Sequence, residues 1–444
     1  MRHGNAALRY RCAPVRRRLS TPNALVPVLC CLSMVLLLGC EHRQIIRPTP
    51  QMDADSQFWI RVLLLANASE CTVEIPSPFH IVQADLGPGI KPGSPPRKPL
   101  GGPTQLSMVR GQLMLGTTPI PNREVVIHPE SPFVFGLNGR NYRGSLKLII
   151  KGDGQAFDVL NLVPLEPYLA GVVGEEMPDY WEPQALRAQA IAARTYCLYI
   201  KNRFGPNRSY DVSRTQASQV YGGVAAESSQ VWKAVNGTVG KVLAENRARA
   251  GRDAASPLLA RGLFPAYFSS VCGGHTSNSQ DVFGDSFGPL AGVPCPYCKD
   301  VARLDLFLWP MAQFSRKTVT EQLVARYPKL KALGEIKEVV VADKTDYGQF
   351  ARLTKIRLVG TTGQTETLRA EDLRLAIDSS GRRLKSTICQ IVRWGDGWAF
   401  LAGRGWGHGV GMCQCGAEGM ARQGHSAEQI LQHYYPGAKI VSVY

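Results

Sequence analysis

The sequence predicts an α+β fold: a β-rich lead-in, then a mixed core with a central amphipathic helix and an inserted α/β subdomain. Three observations carry this. Short β-prone runs crowd residues 58–163. From Pro183 onward, Ala185, Leu186, Ala190, Ala193 and Cys197 recur at helical spacing over about 18 residues. Residues 303–400 then alternate helical and β-prone stretches before a C-terminal part of different character. At 444 residues and 44% apolar composition, the chain has room for two or three domains with real cores.

The formal charge is +16. Six of the basic residues and none of the acids fall in the first 39 residues, yet the remainder stays basic. Such a balance favours an acidic partner: an anionic membrane surface, an anionic glycan or nucleic acid. Nucleic acid is the weakest of these, because no Lys/Arg run interleaves with aromatics and no binding motif occurs.

Arg16-Arg17-Arg18 precede an apolar run from Ala24 to Gly39. That run is shorter than the about 20 residues a membrane span needs, so residues 1–39 read as an export signal. Leu37-Leu38-Gly39-Cys40 resembles a bacterial lipobox, which makes Cys40 the expected lipid-bearing residue and membrane anchor. Residues 40–57 are polar and Pro-containing, as a tether would be. The body of the protein is thus expected outside the cytoplasm, in the periplasm or at the cell surface, where its cysteines meet an oxidising environment.

Taken in order, strands are expected at Phe58–Leu65, Cys71–Ile75, Phe79–Val82, Gln112–Leu115, Glu124–Ile127, Phe133–Phe135, Leu146–Lys151 and Phe157–Leu162. Asp85–Thr104 is dense in Pro and Gly and reads as an exposed loop, and Arg140–Gly144 reads as a turn. Residues 164–302 form the first part of the core. There the Glu175-Glu176-Met177-Pro178 turn leads to the central helix, which Pro183 suits at its first turn because a missing N–H costs nothing there. A helix N-capped by Ser228 follows, then an Arg- and Ala-rich excursion at 246–263 and a short strand at Pro265–Val271. The insertion, 303–400, shows helices near 318–326, 328–334 and 368–376 and strands near 338–342 and 351–358. Residues 401–444 complete the core with a Gly-rich loop, Gly403 to Met412, and helices near 415–422 and 426–433.

Two constellations carry chemistry. Glu175 and Glu176 are adjacent, so their side chains diverge by about 100° on a helix or 180° on a strand and only one can face a given bond. Met177, Pro178 and Trp181 offer apolar surroundings. The bland alternative is a carboxylate at a helix entry, serving the helix dipole. Separately, Cys272-x2-His275 and Cys295-x2-Cys298 lie 19 residues apart, the spacing of a four-ligand zinc site of structural type. One or two disulfides with His275 incidental is the other reading. Cys413-x-Cys415 lacks knuckle spacing.

The block YLAGVVGEEMP, the helix ALRAQAIAARTY, the QVYGG turn, FSSVCGGHT, and GRGWGHGVGM followed by Gln414 and ILQHYYPG together resemble the stage II sporulation protein D family, in the family's order, over roughly residues 120–444. The resemblance implies an extracytoplasmic lytic transglycosylase acting on peptidoglycan glycan strands, denuded ones above all. It selects Glu176, the acid next to the Met, as the one catalytic acid/base. His408, Gln414, Tyr221, Gln219 and Arg194 match family positions and are the expected substrate contacts, with Arg194 on the Ala-rich helix also read as an ion-pair partner. His408 is read equally as a residue holding its loop. Some family members are similar in carrying zinc. Related proteins described as amidase enhancers supply a second class, a non-catalytic wall-binding module that localises or stimulates an amidase. A zinc hydrolase is disfavoured, because four protein ligands leave no open position.

Overall fold

Along the first strand, Ile60, Val62 and Leu64 are buried while their neighbours are only partly so, the period-two pattern of a strand with one face on the core. The computed structural model describes residues 58–83, 95–120, 122–245 and 257–444. The expected export signal, Cys40 and the tether through residue 57 lie outside them, as do residues 84–94 of the Pro/Gly loop and 246–256 of the Arg/Ala excursion.

The lead-in folds as two six-stranded sheets. The first runs, in spatial order, Val212–Ser213, Trp59–Ala68, Phe157–Pro164, Ser145–Ile150, Glu124–Pro129 and Phe79–Gln83. The second runs Thr118–Ile120, Gln112–Leu115, Thr104–Val109, Glu70–Glu74, Val134–Leu137 and Arg140–Arg143. Every pairing is antiparallel except that of Val212–Ser213 with Val62 and Leu63. Arg140–Arg143, expected as a turn, is instead an edge strand paired with Val134–Leu137. Its only buried side chain is Tyr142, so it carries almost no apolar pattern.

Phe157–Pro164 runs straight into helix α1, Leu165–Glu176, an element no periodicity announces. Leu165, Tyr168, Leu169, Ala170, Val172 and Val173 are all buried, and a helix buried all round shows no apolar stripe. It stops at Met177, which is extended because it precedes Pro178. Helix α2, Pro183–Phe204, is the expected central helix, extended to 22 residues with Pro183 in its first turn. The C-terminal helices Gln414–Arg422 and Ala427–Tyr434 pack on its small-residue face. Ala438–Ser442 pairs with Lys241–Glu245, which completes the core. None of the helices among the described residues is long and apolar enough to cross a membrane.

Residues 303–400 hold an apolar cluster of their own, built on Val319, Leu323, Leu330, Ile336, Ile356, Leu358, Leu373 and Phe400. Two three-stranded sheets flank it, one of Ile336–Asp346, Ala351–Gly360 and Thr365–Arg369, the other of Ala312–Ser315, Gly397–Leu401 and Gln390–Trp394. Helix Arg316–Arg326 is capped by Ser315, whose hydroxyl accepts from the Thr318 N–H. The expected helix at 368–376 begins two residues later, at Ala370, because Leu368 and Arg369 still belong to a strand.

Candidate active site

Helix α1 brings a loop unusually close to its surface. A Cβ on Gly171 would stand 2.5 Å from the Tyr221 ring, and one on Gly174 would stand 1.8 Å from the Ala226 carbonyl oxygen. The two glycines, one turn apart, therefore let residues 220–226 lie directly against the helix. From that loop the Val220 N–H donates to Glu176 Oε1 at 2.8 Å. From the C-terminal end of the chain, Gln414 Nε2 donates to Glu176 Oε2 at 3.1 Å. Three segments far apart in sequence thus meet on one carboxyl.

Glu176 occupies the last turn of α1, not the entry of α2. The bland reading of a dipole-serving carboxylate at a helix entry is thereby corrected, since the C-terminal end of a helix disfavours negative charge. Burial raises the pKa of Glu176 above the ordinary value, the two hydrogen bonds pull it back down, and the charge of Glu175 pushes it up further. Glu176 keeps partial exposure, while Glu175 is exposed, with its carboxylate close against Gly222. Met177 is buried behind the pair.

The remaining expected contacts divide sharply. Gln414 is buried and reaches Glu176 itself, so it acts on the carboxyl rather than lining an open groove. Three others are corrected from substrate contacts to supports, because each is enclosed and its polar atoms are engaged by the protein. Gln219 accepts from the Tyr168 hydroxyl at 3.1 Å and donates to the Ala193 carbonyl at 3.2 Å. Tyr221 donates to Asn161 Oδ1 at 3.0 Å and packs between the Tyr142 and Tyr168 rings. Arg194, 0% exposed, forks onto Glu166 at 2.9 and 2.7 Å and donates to the Lys241 carbonyl. This ion pair ties α2 to the first turn of α1. Arg194→Met is expected to lower stability by about 3 kcal/mol, read from the urea midpoint, because Glu166 would keep only the Tyr444 hydroxyl of its two partners.

His408 sits in a loop where Gly405, Gly407, Gly409 and Gly411 all have positive φ, a path only glycine follows cheaply. Its Nδ1 accepts from the Val410 N–H at 3.0 Å, its ring packs on Phe283 and Tyr267, and it also bonds the Phe268 backbone. Burial lowers its pKa to about 4, with the Glu371 charge opposing, so it is neutral at pH 7. These bonds hold the loop that delivers Gln414.

The Cys/His constellation is rearranged. Cys272, Cys295, Cys298 and Cys413 are all buried, with their sulfurs within 4.8 Å of one another. His275 is outside the group, so its expected place as fourth ligand is corrected. Its Nδ1 bonds the Thr276 carbonyl at 2.7 Å and its ring stacks on Tyr347. Cys413 replaces it because the parallel pairing of Phe268–Ser269 with Met412–Cys413 sets Cys413 beside the strand end that carries Cys272. Across that junction the Cys272 N–H donates to Cys413 Sγ at 3.2 Å. Spacing rules look for neighbours in sequence, and Cys413 is contributed from 115 positions beyond Cys298. The Cys272 and Cys298 sulfurs are 3.7 Å apart. That is far beyond the about 2.05 Å of a disulfide. It matches the about 3.8 Å edge of a tetrahedron with metal–sulfur bonds of about 2.3 Å. Four buried sulfurs at such separations fit a zinc ion.

Residues 153–244 match the family described as stage II sporulation protein. That span runs from the strand before α1 through Glu176, α2 and the Val220 loop. The chain is 32% identical over 319 residues to an uncharacterized protein of Brachyspira hyodysenteriae, covering 69% of this chain and 74% of the relative. It is 31% identical over 295 residues to stage II sporulation protein D of Bacillus amyloliquefaciens, covering 63% of this chain and 74% of that protein. To the amidase enhancer of Bacillus subtilis it is 27% identical over 385 residues, 77% of this chain but 50% of that protein. Similarity of this extent, with the family match spanning Glu176 and Val220, means that the chain belongs to the stage II sporulation protein D family.

Proposed function

We propose that this protein is a peptidoglycan lytic transglycosylase that cleaves MurNAc–GlcNAc β-1,4 bonds in denuded glycan strands, with Glu176 as the single acid/base. The observation that carries the reading is the state of Glu176: a partly buried residue at a helix C-terminus, its carboxyl pKa raised by burial and its two oxygens gripped by donors from two other segments. Such a carboxyl holds its proton at higher pH than an ordinary glutamate, as a general acid must. It gives that proton to the leaving glycosidic oxygen as the C1–O bond breaks and an oxocarbenium-like centre forms at C1. The resulting carboxylate, held by the Val220 and Gln414 N–H groups, takes the proton of the MurNAc C6 hydroxyl as that oxygen attacks C1. The product is a 1,6-anhydro end, and Glu176 is reprotonated for the next turnover. No second carboxylate is needed, so Glu175 takes no part in the step.

The basic charge of the chain suits strands whose lactyl carboxylates are bared by removal of stem peptides. Export and anchorage through Cys40 would put the domain at that substrate. Zinc held by Cys272, Cys295, Cys298 and Cys413 would supply a closed, structural crosslink and no reactive position.

A second reading, a non-catalytic module that stimulates an amidase, is favoured by the relative named amidase enhancer. One experiment separates the two. The purified protein is incubated with denuded glycan and the fragments are analysed by mass spectrometry. Anhydro-ended fragments are expected. Their absence, with an added amidase accelerated on intact peptidoglycan, would replace the enzyme reading by the second one.

A further inference from the structure

The insertion contributes no sulfur to the cluster, but it contributes a charge. Arg352, on strand Ala351–Gly360, is 1% exposed. Its Nη2 donates to the Cys272 carbonyl at 2.8 Å and its Nη1 approaches Thr387 Oγ1 at 3.5 Å. Its Nε has no partner among the described residues. Gly409 of the Gly-rich loop lies against the guanidinium, where a Cβ would come within 2.6 Å of Nη2.

No carboxylate among the described residues pairs with this cation. Glu371 acts on it only through space, and both Glu371 oxygens are taken by Arg374, at 2.9 and 2.5 Å. That pair is closed and neutral. Arg352 is therefore a buried positive charge whose hydrogen bonds go to neutral oxygens, an arrangement that costs several kcal/mol unless a counter-charge lies close. The residue whose carbonyl it grips is a member of the sulfur cluster. Four thiolates around a divalent ion carry a net charge of about −2, itself expensive to bury. Each group answers the other's deficit.

We propose that Arg352 is the counter-cation of a tetrathiolate metal centre, so that the insertion supports metal binding without supplying a ligand. This rests on the zinc reading above and is independent of whether the protein cleaves glycan. It gives the insertion a role in the core: a single charge links its sheet to the strand end at Cys272 and to the loop that leads to Gln414.

The test is metal affinity, not activity. The purified full chain is loaded with Zn²⁺ and titrated with a chromophoric chelator, and Co²⁺ is substituted in parallel to follow thiolate-to-metal charge-transfer absorption. Arg352→Met, similar in size and uncharged, is expected to weaken Zn²⁺ binding about 10–100-fold, the usual cost of losing an outer partner of a metal site. Arg352→Lys keeps the charge and is expected to keep most of the affinity. If Arg352→Met binds as tightly as the wild type, the proposal is overturned while the zinc site stands. Equal losses in the two variants would assign the effect to the fork-shaped hydrogen bonding and overturn it as well. Should Arg352→Met fail to fold, a folded Arg352→Lys with strongly weakened binding has the same consequence. A wild-type chain that binds neither ion at one per molecule removes both the zinc reading and this one.

Discussion

Replacing Glu176 by glutamine is expected to stop the release of 1,6-anhydro-ended fragments from denuded glycan, a loss of at least about 10²–10⁴-fold, while the fold persists. Glutamine is nearly isosteric and its carbonyl can still accept from Val220, so the loop contact survives. What is lost is the proton. Liquid chromatography with mass spectrometry on digests by the two proteins measures the change, and full activity in the variant would remove Glu176 from the chemistry. The same substitution carries a stability signature with a definite sign. Burial raises the folded-state pKa of Glu176 above its ordinary 4.5, so the folded state holds this proton more tightly than the unfolded state does. The stabilisation from that proton is complete below about pH 4.5 and is lost as pH rises through the folded value. The substituted glutamine cannot ionise. The melting temperature of the variant relative to the wild type should therefore climb from about pH 4.5 upward and level off once the wild-type carboxyl has ionised. Wild-type cleavage should fall over the same upper range, because the acid form disappears. Parallel melting curves from pH 4 to 9 would mean that the carboxyl is not raised.

Replacing Cys413 by alanine is expected to empty the proposed zinc site, whereas replacing His275 by alanine should leave it filled. The contrast follows from position: Cys413 Sγ lies in the group of four sulfurs, and the His275 imidazole is spent on the Thr276 carbonyl and the Tyr347 ring. Loss of a direct ligand should weaken Zn²⁺ binding by more than the about 10–100-fold expected of an outer residue. Elemental analysis of the purified variants measures occupancy, and thermal melting with and without chelator measures what the ion contributes to stability. The wild type should lose melting temperature when the ion is stripped, and Cys413→Ala should already sit at the stripped value. Zinc retained in Cys413→Ala and lost in His275→Ala would restore the arrangement that the Cys-x2-His spacing suggests. The physical stake is the path to Glu176, since Cys413 occupies the N-cap position of the helix whose first residue, Gln414, donates to that carboxyl.

Much of the architecture was legible because its signals are local. Pro183 and the spacing of Ala185, Ala190, Ala193 and Cys197 announced α2, and Ser228 announced the start of its helix, whereas the capping box of Ser426 with Gln429 came to light in the structure. Strands with one buried face could be read from alternation. Helix α1 could not, because residues buried on every side leave no stripe to detect. Arg140–Arg143 was hidden for the opposite reason, as an edge strand with one buried side chain.

The site divides in the same way. The divergence of adjacent side chains limits the Glu175–Glu176 pair to one residue facing a given bond, and the resemblance to a family whose acid precedes the Met is what picks Glu176. Three of the four clustered sulfurs were visible as paired spacings. The donors on Glu176, the fourth sulfur, the cation beside the cluster and the enclosure of Arg194, Gln219 and Tyr221 are relations between segments 26 to 238 residues apart in the chain. Strand register, as between Ser269 and Cys413, and close approach, as at Gly171 and Gly174, set those relations. Neither is encoded in any one stretch of sequence, because each depends on which two surfaces become buried together. Residue chemistry and short-range spacing were thus properties of the chain itself. Which groups act on one another was settled only when the core closed around them.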